Sequence, residues 1–331
     1  MLKKLAAAIA LALATGGLAT GALTTGAQAG PEFWTYEWPD TDFTRTTIEN
    51  WSEIRSGGPG KDGIPALGAP EFRAGSGETR LGPTEAVIAL HLKGHPARAY
   101  PLRYLMWHEI VNDRLGDLPV AVTYCPLCNS ALVFDRRAQG LVLEFGVSGK
   151  LRNSDMVMYD RQTHSWWQQA IGTGIVGDLT GVELTVLPSR MLGWAQFRAD
   201  FPDGVVMEQP AHARPYGQNP YRAYDLSKRP FLYNGAPPPH GIAPLARVVR
   251  VGDRAWPLER LRQAGQLTEA GITLIWRAGQ ASALEAGSVE GGRDVGSIRV
   301  LSGAGADMVH DVMFAFAYHA FWPQGRWMLG D

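Results

Sequence analysis

The sequence predicts an α+β protein, rich in strands and built as two related lobes. Three observations predict it. Short runs of β-branched and aromatic residues recur between turn formers, with 39 Gly and 22 Pro among 331 residues. Helical spacing appears in only a few short stretches. Finally, Ala97-Arg-Ala-Tyr-Pro-Leu-Arg-Tyr-Leu105 is echoed by Asp253-Arg-Ala-Trp-Pro-Leu-Glu-Arg-Leu261. Each copy is preceded by a strand, a turn and a return strand, and followed by a helical pattern, the mark of a duplicated unit.

The chain opens with a secretory pattern. Lys3 and Lys4 precede an Ala-rich apolar run, which closes on Ala27-Gln28-Ala29. Residues 1–29 therefore read as a signal peptide, and the mature protein as periplasmic or secreted. The apolar run is too short to span a bilayer, and no later segment is long enough. Without Lys3 and Lys4, 29 basic residues face 32 acidic ones, a formal charge of −3. That balance argues against a nucleic-acid partner held by a basic face.

Residues 30–208 form the expected first lobe. Phe33 to Asn50 is aromatic and aperiodic. Ser56 to Pro65 is a run of turn formers, read as a surface arm that is also long enough to wrap a site. Val87–Leu92 and Ala97–Tyr100 read as a hairpin, and Leu102–Val111 as a helix. His108 and Asn112 would then share a helical face, beside Glu109 and Asp113.

The organising stretch is Val120 to Arg136, which holds both cysteines of the chain, Cys125 and Cys128. Val120–Tyr124 and Ala131–Phe134 read as strands flanking a Cys-Pro-Leu-Cys turn. Pro126 fixes φ and removes a donor, while Asn129 tolerates φ > 0. Two sulfurs projecting from one rigid loop form a metal knuckle, and thiolates select soft ions such as copper or zinc. His108 is the expected third ligand, with Met156 and Met158 as thioether candidates. The ordinary alternatives are a helix-end histidine and core methionines. The same spacing suits a thiol–disulfide oxidoreductase, with Cys125 attacking and Cys128 resolving, or a structural disulfide in a binding or scaffold protein. An exposed dithiol outside the cytoplasm tends to oxidise. Asn129 follows the second cysteine where covalent haem attachment needs histidine.

Downstream, Leu141–Phe145 reads as a strand, Gly146–Gly149 as a turn and Asp155–Tyr159 as a strand. His164, His310 and His319 are weaker ligand candidates. Asp135, Asp155 and Asp160 suit acid–base work or turn capping equally. Gly-x-Ser-x-Gly, His-Glu-x-x-His and Walker A patterns are absent, so no hydrolase or nucleotide class is favoured. Ile175–Leu187 reads as a strand pair, and Pro188–Asp200 as a short helix before a strand at Val205–Met207. Residues 209–246, rich in Pro, Tyr, Asn and Gly, form a connecting or wrapping arm. Residues 247–331 form the second lobe, which lacks cysteine.

Taken together, these residues resemble the bacterial DUF3179 family. The resemblance rests on Asp62-Gly-Ile-Pro-Ala66, Arg98-Ala-Tyr-Pro-Leu102, His108-Glu-Ile-Val-Asn-Asp113, Val122-Thr-Tyr-Cys-Pro-Leu-Cys128, Phe145-Gly-Val-Ser-Gly149, Met158-Tyr-Asp-Arg161 and Asn219-Pro-Tyr221. Asn129 departs from a more usual glycine. His164-Ser-Trp166 departs from a Ser-Leu-Trp pattern, which weakens His164 as a ligand. The resemblance implies no particular activity.

Overall fold

The computed structural model describes residues 31–330, so the leader assigned to residues 1–29 lies outside the described residues. The chain is strand-rich, with its sheets arranged as a five-bladed β-propeller and four short helices between them. The helices are α1 (Leu102–His108), α2 (Trp194–Asp200), α3 (Leu258–Ala264) and α4 (Ala315–Phe321), each of seven residues. Helices this short cannot form a layer of their own. They cap strand ends, and the sheets carry the architecture.

Two sheets share one plan. In the first, Ser189–Gly193 pairs antiparallel with Ala86–Leu90, which pairs antiparallel with Arg98–Pro101, which pairs parallel with Val205–Met207. In the second, Asp311–Phe314, Arg247–Val251, Arg254–Pro257 and Arg326–Trp327 repeat that order and those senses. Pro101 ends one central strand and Pro257 the other, and α1 and α3 start immediately after them. Proline suits that junction because its fixed φ and missing N–H end the ladder without loss. Helices α2 and α4 likewise bridge the outer antiparallel strand to the parallel one.

A three-stranded meander follows in each half. Ile110–Leu115, Leu118–Cys125 and Ser130–Asp135 form the first. Gln266–Glu269, Ile272–Arg277 and Ser297–Ser302 form the second. The first half carries one addition between Asp135 and Ser189. There, Phe145–Arg152, Asp155–Asp160, Trp166–Gln168 and Thr173–Val176 build a further sheet, with Ile54–Ser56 on its edge.

Several local expectations change. The helix expected over residues 102–111 stops at His108, because Glu109 adopts φ 59°, ψ −32° and turns the chain. Asn112 then lies on a strand, where its side chain bonds the backbone of Phe145 and Leu67, so the His108–Asn112 helical face does not form. Residues 146–149 are not a turn but part of the strand Phe145–Arg152, irregular between Val147 and Lys150. Gly149 has φ +74° there, and a Cβ on it would stand 2.1 Å from the Pro59 carbonyl oxygen. Glycine therefore lets the 57–62 loop pack directly on this strand, with Gly57 N–H donating to Gly149 O at 2.8 Å. Residues 189–193 extend as a strand before α2 begins. The strands at Thr173–Val176 and Val186–Leu187 belong to different sheets.

The largest hydrophobic cluster takes residues from both halves, from Leu67 through Val122, Phe134 and Met158 to Met313 and Tyr318. The second half also clamps the cysteine turn. Phe314 N–H donates to Cys128 O at 2.8 Å, and the Asn129 amide donates to Val312 O at 2.7 Å. Asp311 accepts from the Ser130 hydroxyl at 2.6 Å and from Ala131 N–H at 3.0 Å.

Candidate metal centre

The cysteine turn forms as the sequence leads one to expect. The strands Leu118–Cys125 and Ser130–Asp135 close on the pair Cys125–Ser130, and Asn129 stands at φ 54°. Both cysteines are buried and free. Facing them is the turn that joins Phe145–Arg152 to Asp155–Asp160. Asn153 and Ser154 have φ 50° and 63°, the two left-handed residues of a tight hairpin. This hairpin tip is pressed against the sulfurs. The Cys128 thiol lies 3.4 Å from the Ser154 carbonyl oxygen, within donating distance.

The next residue completes the group. Cys125, Cys128 and Asp155 each offer a ligand atom, and these atoms all lie within 4.8 Å of one another. Asp155 Oδ2 is anchored, accepting from Gln168 Nε2 at 2.6 Å and Ala170 N–H at 2.9 Å. Asp155 Oδ1 has no partner of ordinary hydrogen-bond geometry, but the Cys125 and Cys128 thiols lie against the carboxyl and favour its ionised form. Gln168 Oε1 and Gln169 Oε1 are buried without a partner. A thiol is a weak donor, so it satisfies a buried carboxylate oxygen only in part.

Electrostatics deepen the imbalance. Burial raises the Cys125 thiol, and Asp155 and Glu109 raise it further. The Cys128 thiol is pushed well above its ordinary value by burial and by Cys125. Burial also moves Asp155 up to about 6 and Glu109 up to about 8. Four acids are thus gathered in a low-dielectric region, each favouring its protonated form. A cation is the species that such a set accepts, since it lets thiols and carboxylate ionise together. The donor set and the hydrogen-bonded second carboxylate oxygen both fit a metal ion.

The histidine candidates and the other two aspartates lie elsewhere. His108 is buried, but both ring nitrogens are engaged: Nδ1 is 2.7 Å from Pro65 O and Nε2 is 2.6 Å from the Tyr216 hydroxyl. Burial depresses it to about 4, so it is a neutral bridge within the packing, not a third ligand. Met156 and Met158 alternate with Asp155 along the strand and are buried in the same hydrophobic cluster as Cys125 and Cys128. His164 sits 3.1 Å from Lys61 Nζ on the far side of that sheet's turn, and His310 Nδ1 bonds Met308 O. His319 lies in α4 and takes no part in the three-residue group. Asp135 pairs with Arg137, and Asp160 caps Thr163 and holds the Trp167 indole.

Beside the group lies a cavity of about 400 Å³. Gly57 and Pro59 of the early loop, Glu109, Leu127, Tyr221 and Phe231 are among its walls. The early loop thus borders the site instead of forming a free surface arm. The connecting arm does the same through its tyrosines. Tyr216 reaches His108, Tyr221 lies 3.4 Å from Glu109 Oε1, and Tyr224 donates to Leu127 O at 3.0 Å. Sequence reasoning missed these tyrosines and gave Asp155 only a generic acid–base role. The Asn153-Ser154 dipeptide between two strands was the available signal, since it predicts a two-residue turn with Asp155 at its base.

A family model described as "Protein of unknown function (DUF3179)" matches residues 61–325. The chain belongs to that family. Comparisons with curated proteins and with solved structures returned no match.

Proposed function

We propose that this DUF3179 member binds a thiophilic metal ion through Cys125, Cys128 and Asp155. The observation that carries the reading is the approach of three buried ligand atoms, two thiol sulfurs and a carboxylate oxygen, to within 4.8 Å. Of the two ions expected for paired thiolates, the oxygen ligand favours zinc over Cu(I). Three protein ligands leave a fourth position, the arrangement of zinc sites that do chemistry. An ion held there would supply a Lewis acid and lower the pKa of a bound water.

The competing reading is a thiol–disulfide oxidoreductase. Burial and raised thiol pKa values work against it, because thiolate and access make a cysteine reactive. A structural disulfide in a binding protein is the third reading. Purification of the mature chain under reducing, metal-replete conditions, followed by elemental analysis, separates the three. Near one metal per chain, lost in the Cys125→Ser/Cys128→Ser variant, is the expected result. A metal-free chain with an easily reduced cystine would establish the oxidoreductase instead, and a resistant cystine the scaffold.

Three further readings belong to this proposal. Residues 1–29 act as a cleaved leader, which makes the mature chain periplasmic or secreted. Residues 30–208 and 247–331 are lobes joined by the 209–246 arm. The two lobes descend from a duplication, supported by their shared strand order, strand senses and helix placement. The second lobe then lost, or never gained, the cysteines.

A further inference from the structure

The paired lobes make one backbone position directly comparable. Helix α1 ends on Glu109, with φ 59° and ψ −32°, and its N–H returns to Leu105 O. Helix α3 ends on Gly265, with φ 69° and ψ −51°, and its N–H returns to Leu261 O. Glycine adopts this conformation freely, whereas a residue with a Cβ is strained in it. The second lobe thus uses the residue that backbone mechanics favour, and the first lobe tolerates a glutamate.

The side chain does not repay that strain by bonding within the protein. Glu109 is only 8% exposed. Its one hydrogen-bond partner is the Tyr221 hydroxyl, at a long 3.4 Å from Oε1. Among the described residues, Oε2 has no hydrogen-bond partner. The carboxyl borders the 400 Å³ cavity, whose other walls include Ile64, Leu127, Val147, Met156 and Tyr224. The walls also carry Lys150, which is paired with Glu37, and the exposed Arg222 at the rim. Glu109 is the buried, under-bonded polar group of an otherwise mainly apolar chamber, the make-up of a small-molecule site.

We propose that this cavity is a binding site for a small neutral molecule with an apolar body and a single amide, carbonyl or hydroxyl head. Glu109 is its polar anchor, and the head group takes the bonds that the protein leaves unmade. The volume suits a ligand the size of one substituted ring. The site does not depend on the metal reading, because neither cysteine borders the cavity.

Benzamide is the probe. Saturation-transfer NMR reads its binding to the full mature chain, and Glu109→Gln and Glu109→Gly are measured alongside for both affinity and Tm. Wild type should bind benzamide at millimolar concentration. Glu109→Gly should lose affinity by about tenfold or more, the loss of one bond to a buried polar group, whereas Glu109→Gln, which keeps a donor and an acceptor, should lose less. Their Tm should hold or rise, because an anchor kept for a ligand is dispensable for folding. A fall in Tm of a few degrees in both would assign Glu109 a structural role and overturn the proposal. Undiminished benzamide binding in Glu109→Gly, or none in wild type, would overturn it as well. The Cys125→Ser/Cys128→Ser chain should still bind benzamide, so failure of the metal reading and failure of this one are told apart.

Discussion

The two halves of this molecule run the same course of strands and helices, yet only one gathers reactive groups. In the second half the helix-ending residue is Gly265, and the meander Gln266–Ser302 has no cysteine. In the first half the same positions carry Glu109 and the Cys-Pro-Leu-Cys turn. An additional sheet, inserted after Asp135, supplies Asp155. The difference teaches where a site comes from. The common scaffold sets the strand ends, and chemistry arrives through one strained residue, one turn and one insertion. The second half is not idle, since Asp311, Val312 and Phe314 hold that turn in place.

The sharpest way to break this comparison is to remove the insertion's contribution alone. Asp155→Ala should abolish stoichiometric metal, with an affinity loss beyond the ~10–100-fold that outer partners of a metal site are worth. Retention of one metal per chain, measured by elemental analysis, would return the site to the cysteines only. Next in size is the clamp. Asp311→Ala leaves the Ser130 hydroxyl and Ala131 N–H buried without their acceptor, at roughly 1–3 kcal/mol each. Chemical denaturation should therefore register a loss of about 3 kcal/mol. A near-neutral result would mean that the halves are less dependent on each other than their hydrogen bonds imply.

Acidity gives a third handle, one that the second half cannot mimic through Gly265. Burial raises Asp155 from 3.8 to about 6 and Glu109 from 4.5 to about 8. Between about pH 4 and pH 8 the folded chain therefore holds protons that the unfolded chain has released. These two carboxyls make the metal-free protein less stable as pH rises through that window, while His108, depressed to about 4, acts in the opposite sense up to about pH 6.5, so the decline shows between about pH 6.5 and pH 8. Glu109→Gln should flatten the upper part of the decline in urea titrations from pH 5 to pH 8. The smallest effect sharpens the backbone comparison. Gly265→Ala has open space around its Cβ but a φ of +69°, so strain alone should cost about 1 kcal/mol, read as a modest drop in the urea midpoint.

How much of this was visible beforehand follows from the range of each interaction. The strand–turn–strand around Cys125 and Cys128 is local, and Pro126 and Asn129 announce it. The 86–101 hairpin is local too, and its end at Pro101 is legible for the same reason. Asp155 is not legible as a partner of Cys125, because a fold-back of thirty residues brings them together and no periodicity records it. His108 failed for a different reason. Imidazole is a reasonable ligand in the abstract, but Pro65 and Tyr216 lie far away in sequence and take both nitrogens. The early end of α1 was hidden because a glutamate at positive φ carries no compositional warning. The α+β expectation overweighted helical spacing in segments that are only seven residues long.

The clamp on the cysteine turn also sets a schedule for making the protein. Ser130 meets its acceptor only at Asp311, 181 residues further along the chain. A ribosome must therefore finish nearly the whole polypeptide before the cysteine turn is held in place. Until then, the Cys128–Ala131 backbone lacks its clamp. A message truncated anywhere upstream of codon 311 would yield a chain whose cysteine turn never acquires that clamp.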